Sequence, residues 1–196
     1  MVPSHSGVEI EMRRPWMPGE TLILLGPGGV GKSTLGRHLA QELQSRLIDL
    51  DLEFCDRIGI IGPYIAAYGY DRYRAENLAL AETLLSIVTE PTIFVTSSGF
   101  LAGVAGSNDQ TRAMQIVDSG YGITLLPSLD LDSATSIVVR RQLERGFGFE
   151  REAEDRKFRQ RFSIYKDAGQ MRVVSTAPPV SIAAAVAAKL GTTEAQ

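Results

Sequence analysis

Gly26-Pro27-Gly28-Gly29-Val30-Gly31-Lys32-Ser33 is the stretch whose reading decides the fold. Its residues fall at the spacing G-x-x-x-x-G-K-[ST], after a compact apolar run from Thr21 to Leu25 and before a helical pattern from Ser33 to about Gln44. Strand, glycine turn and helix in that order make a cradle for phosphate. The glycines let backbone N–H groups converge without Cβ clashes, and the helix brings its positive end to the same point. Gly28, Gly29, Val30, Gly31, Lys32, Ser33 and Thr34 are therefore the expected nucleotide-binding residues. Lys32 should reach the β- and γ-phosphates, and Ser33 should offer its hydroxyl to Mg²⁺, which prefers hard oxygen ligands. This cradle alone does not separate kinases from GTPases, motor ATPases or regulatory switches.

Working outward, short apolar strands alternate with helical patterns. Strands are expected at Arg46 to Asp49, Thr92 to Thr96, Gly122 to Leu126 and Arg172 to Ser175. Helices are expected from near Asp71 to Val88, Asp109 to Asp118, Asp130 to about Arg145 and Pro179 to Leu190. Such alternation implies an α/β domain with a parallel sheet covered on both faces. Ile60 to Gly69 and Arg145 to Glu152 look irregular. Residues 1–19, with Pro3, Pro15 and Pro18, read as a loose tail rather than a secretory leader. Residues 20–196 read as one domain.

Composition narrows the function classes. The 196 residues are 44% hydrophobic and carry a formal charge of −3, so no general positive field is available for a nucleic-acid backbone. No apolar run approaches the roughly 20 residues of a membrane-spanning helix. A cytoplasmic protein with neither nucleic-acid nor membrane partners is expected. The lone Cys55 has no internal disulfide partner, and His5 and His38 offer no paired metal site.

Leu47-Ile48-Asp49-Leu50-Asp51 places two carboxylates at the end of the second expected strand, on the same side if the strand continues. Asp49 could then hold Mg²⁺ through water, and Asp51 could orient or deprotonate an acceptor hydroxyl. The alternative, which carries less weight, is that Asp51 caps the next helix with Asp49 solvated.

From these residues onward the chain resembles the shikimate kinase family, a branch of the nucleoside-monophosphate-kinase-like P-loop proteins. The family's opening Gly-Pro-x-Gly-x-Gly-Lys-Ser-Thr-x-Gly-Arg stands here as Gly26 to Arg37, and its Asp-x-Asp as Asp49 and Asp51. The resemblance implies a three-layer P-loop kinase fold with a five-stranded parallel sheet, a substrate-binding region near 50–80 and a helical lid near 145–158. It implies ATP and Mg²⁺ as cofactors, a small-molecule acceptor, and transfer of the γ-phosphoryl group to its hydroxyl. Asp49 and Ser33 would attend the metal, and Asp51 the acceptor hydroxyl.

Tyr73-Arg74 would stand for the family's Phe-Arg pair, and Arg161 with Tyr165 has the form of its Arg-x-x-x-Tyr segment, so both arginines would grip the acceptor carboxylate. An adenine-stacking arginine falls at Arg140 or Arg141, with Arg141 the better alignment. Arg145 would open the lid and act on the transferring phosphoryl group, in competition with Arg151 and Arg156.

Two departures stand out. Thr96-Ser97-Ser98-Gly99 replaces the family's triple glycine, so Ser98 and Gly99 are expected to touch the acceptor, with the hydroxyls of Ser97 and Ser98 crowding its space. The usual lid Arg-Pro-Leu-Leu is missing, and Gly146-Phe147-Gly148-Phe149 sits in its region. Both suggest changed acceptor recognition. Rival readings are a related kinase for a sugar acid, nucleoside or antibiotic hydroxyl, and a nucleotide-binding regulatory protein without efficient transfer.

Overall fold

A computed structural model describes residues 7–146 and 148–191. Residues 1–6 of the expected tail, Phe147 of the expected lid and residues 192–196 lie outside them. The order of elements is β1 (Val8–Met12), β2 (Leu22–Leu25), α1 (Lys32–Glu42), β3 (Arg46–Asp49), α2 (Leu50–Arg57), α3 (Ile61–Tyr68) and α4 (Tyr70–Ser86). There follow β4 (Thr92–Val95), α5 (Asn108–Asp118), β5 (Tyr121–Leu126), α6 (Leu131–Leu143), α7 (Arg151–Lys166), β6 (Met171–Ser175) and α8 (Pro179–Gly191).

The sheet order is β1-β6-β5-β2-β4-β3. The five strands from β6 to β3 are parallel, as expected, because each pair is joined through helices that cover the faces. β2 shows why both faces must be covered. Leu22 and Leu24 enter one apolar cluster with α1, α6, α7 and α8, whereas Ile23 and Leu25 enter a second with α2, α4 and α5. Gly36 on α1 permits this packing, since a Cβ there would lie 2.7 Å from Val95 Cγ2.

Two sequence expectations need correction. The tail is not loose throughout: Val8, Ile10 and Met12 alternate with Glu9 and Glu11 and form a sixth, antiparallel edge strand on β6. Its apolar side packs on the first cluster, and Glu11 pairs with Arg172. Nor is the 60–69 segment irregular, because α3 occupies Ile61–Tyr68. Pro63 sits in its first turn, where a missing N–H leaves no bond unmade.

The described residues of the lid region are non-helical on either side of Phe147, at 145–146 and 148–150, and then form the first half of α7. Phe158, Phe162 and Tyr165 bury α7 in the core, so this helix is anchored. No helix among the described residues is long and apolar enough to cross a membrane.

Candidate active site

In a parallel sheet, ligands gather beyond the carboxyl ends of the strands, where connections leave in opposite directions. β2 is that point here, with β4 on one side and β5 on the other. The loop after β2, Asp49 at the end of β3 and Thr96 after β4 all line a cleft of about 710 Å³.

The glycine loop has the backbone that the motif requires. Gly26 has φ 144° with Leu125 O only 2.7 Å from where a Cβ would stand, and Gly31 has φ 99° at the N-cap of α1. Gly28, Gly29, Gly31, Ser33 and Thr34 line the cleft. Val30 turns its side chain into the first apolar cluster, so only its backbone can serve a phosphate.

Lys32 lies under the loop at 8% exposure, donating to the carbonyls of Gly26 at 2.7 Å and Pro27 at 3.3 Å. Burial lowers its pKa to about 8 against the opposing pull of Asp51 and Asp49. A lysine held this way is a cation that gains by meeting phosphate.

β3 ends at Asp49, as expected, and α2 starts at Leu50, so the condition under which the two carboxylates would share a strand face is not met. Asp49 itself is the N-cap, accepting from Asp51 N–H at 3.2 Å, and Asp51 sits in the first helical turn. Both still line the cleft. Burial raises the Asp51 pKa, with Lys32 pulling the other way. Tyr73 donates to Asp51 Oδ1 at 3.4 Å, and burial beside that carboxylate pushes its phenol pKa far up, so Tyr73 remains a donor.

Of the two candidate adenine arginines, Arg141 lines the cleft and Arg140 is exposed elsewhere. Arg145 also lines it, donating to Gln142 Oε1 at 2.9 Å, whereas Arg151 and Arg156 do not. Arg161 lines the cleft as well, one turn before the buried Tyr165. Their Nη1 and hydroxyl both donate to Ser98 O, at 3.4 and 3.2 Å, and so hold the turn after β4.

Three acceptor expectations come out differently. Ser97 points away from the cleft and donates to Asn77 Oδ1 at 2.9 Å, so only Ser98 of the two serines crowds it. Arg74 is not brought into the main cleft; it donates to Gly99 O at 2.8 Å from behind that turn. Gly99 is also screened from it, by Tyr70. Arg74 instead lines a second small cavity with Tyr70, Tyr73, Asn77, Ser97 and Gly99.

Sequence reasoning missed a polar group over the phosphate loop. Gln142 Nε2 donates to Glu154 Oε2 at 3.2 Å, and Lys157 pairs with Glu154 Oε1 at 2.5 Å. Gly28 lets it lie close over the loop, since a Cβ there would stand 3.0 Å from Gln142 Nε2 and push that amide aside. The only local signal was the i, i+3 spacing of Glu154 and Lys157.

The family model for shikimate kinase matches residues 28–190, a span that includes the phosphate loop from Gly28 onward, both aspartates and Arg161. The chain belongs to the shikimate kinase family. A shikimate kinase of Pseudoalteromonas atlantica is 37% identical over 112 residues, which are 57% of this chain and 60% of that protein. Pentafunctional AROM polypeptides of Malassezia globosa and Candida tropicalis also match, at 31% and 27% identity over 43% and 61% of this chain. The chain spans only 5% and 8% of their lengths. Among solved structures, the shikimate kinase of Acinetobacter baumannii in complex with shikimate superposes with a TM-score of 0.66 at 20% identity, covering 91% of this chain and 94% of that one. At that identity the likeness establishes the P-loop kinase fold of this family member and no more.

Proposed function

We propose that this protein transfers the γ-phosphoryl group of ATP to a hydroxyl of a small hydroxylated carboxylate, with shikimate the first candidate. The observation that carries the reading is one cleft lined by a phosphate cradle, by Asp51 and by Arg161. A protein that only bound nucleotide would need the cradle alone.

Ser33 and Asp49 would hold the Mg²⁺ that accompanies the nucleotide. They fit it: both present hard oxygen atoms, and one or two protein ligands with phosphate oxygens and water are what this ion usually takes. When bound, the ion neutralises phosphate charge. Phosphoryl transfer depends mainly on positioning and charge, and the residues divide that work. Lys32 exchanges the Gly26 and Pro27 carbonyls for phosphate oxygens. Asp51, a stronger base than a free aspartate, accepts the proton of the acceptor hydroxyl. Arg145 meets charge on the transferring group, Arg141 lies beside the base, and Arg161 forks the carboxylate. Such a reaction belongs in the cytoplasm, where its nucleotide is found.

The test is a coupled ADP-release assay with ATP, Mg²⁺ and a panel of shikimate, gluconate, other hydroxylated carboxylates and nucleosides. Release stimulated by a hydroxylated carboxylate supports the reading. A response to nucleosides alone moves the acceptor to that class, and tight ATP binding without any stimulated turnover makes the protein a nucleotide-binding regulator.

A further inference from the structure

One side chain, Tyr70, joins the main cleft to the small cavity behind Gly99: it lines the cavity and touches Arg161, which lines the cleft. Tyr70 opens α4, and its hydroxyl accepts from Arg161 Nη2 at 3.0 Å. The same oxygen would lie 2.1 Å from a Cβ on Gly99, so it fits there only because that residue is glycine. The phenol thus covers the one glycine kept from the family's triple glycine and uses a donor of the arginine assigned to the acceptor.

Behind it, the small cavity has a volume of about 10 Å³. Two of its lining groups, Arg74 Nη2 and Asn77 Nδ2, are buried donors with no hydrogen-bond partner among the described residues. Arg74 is 8% exposed and Asn77 3%. Orphaned buried donors are costly and call for an acceptor atom. A carboxylate supplies two.

We propose that Tyr70 is a displaceable plug of the acceptor site, seated between Arg161 and Gly99, and that an acceptor carboxylate gains Arg161 and the donors behind Gly99 by expelling it. The proposal rests on the reading of the cleft as an acceptor site. The plug sets specificity, because only a ligand that offers those donors more than the phenol does can take the seat. A neutral sugar or nucleoside lacks the charge to replace a phenol bonded to arginine.

The fold provides a way out for the ring. Tyr70 is 38% exposed, and Gly69 joins α3 to α4 at φ 84° and ψ 161°, a joint without a side chain. No residue of α3 is fully buried; Ile61, Tyr64 and Ile65 only rest on the second apolar cluster. The ring's aromatic neighbour is Tyr73, at 5.8 Å between centroids. Rotation of the exposed ring about its own side-chain bonds therefore gives up the Tyr73 contact and leaves the buried face of α4 in place.

The experiment measures binding apart from transfer. Calorimetry with cyclohex-1-ene-1-carboxylate, which has the carboxylate but no acceptor hydroxyl, is run on the wild type, Tyr70→Phe and Tyr70→Ala, each saturated with a non-hydrolysable ATP analogue. Tyr70→Phe removes the bond to Arg161 but keeps the ring, and Tyr70→Ala empties the seat.

A plug taxes binding by the fraction of molecules in which it is open, so Tyr70→Phe should tighten the carboxylate about tenfold and Tyr70→Ala at least as much. Affinity for the analogue should not change. Weaker or unchanged binding in Tyr70→Phe overturns the plug and makes Tyr70 an ordinary contact, as does carboxylate binding by none of the three. ADP release with the same acceptor panel, measured in parallel, separates the two readings. Tightening without release by any acceptor keeps the plug and removes the kinase; release without tightening does the reverse.

Discussion

Replacing Lys32 by Met probes both the burial of the lysine and its role. In the ligand-free protein its ammonium is enclosed under the phosphate loop, and burial lowers its pKa from 10.5 to about 8. The unfolded chain then binds one proton more than the folded chain between those two values. Because stability rises with pH wherever the unfolded state holds more protons, the wild type should gain stability from pH 8 to 10.5. At about 1.4 kcal/mol per pH unit the gain is about 3 kcal/mol.

Lys32→Met has no such group, and it shares with the wild type the titrations of all groups that Lys32 does not touch; Asp51, relieved of the lysine's pull, moves further up. The lost bonds to Gly26 and Pro27 carbonyls shift the variant by a constant amount. The measurement is urea unfolding of both proteins from pH 7 to 10.5, with the difference plotted against pH. It should be flat below pH 8 and then move by about 3 kcal/mol in favour of the wild type. A flat difference throughout refutes the argument from burial. The variant should also lose phosphoryl transfer while remaining folded, and normal ADP release would remove Lys32 from the reaction.

Asp51→Asn should lower turnover far more than ATP affinity. In the wild type the rate should rise with pH through a carboxylate whose pKa lies above the ordinary value, because the base must be ionised, and the variant should lose that limb. Ser33→Ala should weaken nucleotide binding more with Mg²⁺ than without it, and equal losses would exclude Ser33 as a metal ligand.

The two serines after β4 should separate. Ser97→Gly removes the buried bond to Asn77 and should destabilise the fold by about 1 kcal/mol in urea unfolding. Ser98→Gly should leave stability nearly unchanged and alter the acceptor's Michaelis constant; the opposite pattern would reverse their assigned directions.

The phosphate loop was legible in the sequence because everything it needs is contiguous. Eight residues supply the turn, the donors and the start of α1, and local backbone geometry is enough to form them. The parallel strands were legible for a related reason, since short apolar runs separated by helices leave few other arrangements. The edge strand β1 was harder. Its alternation of Val8, Ile10 and Met12 with glutamates is a strand signal, but a single edge strand has no stability until β6, far along the chain, offers its backbone.

Asp49 and Asp51 were found from spacing alone, yet their geometry turned on where the strand stops. One residue there exchanges a shared strand face for an N-cap and a first helical turn. Ser97 and Ser98 show the same sensitivity, because the chain leaves β4 and enters a turn at Ser98, which sends one side chain to Asn77 and the other to the cleft.

The sequence by itself determined the nucleotide side of this protein, and the tertiary structure decided the acceptor side. A phosphate cradle is built from local backbone. An acceptor pocket is built from side chains that meet across the fold: Arg161 finds Tyr70 at a separation of 91 residues and Ser98 at 63. Which arginine reaches the cleft, and which tyrosine closes it, depends on helix faces and packing that spacing along the chain does not encode.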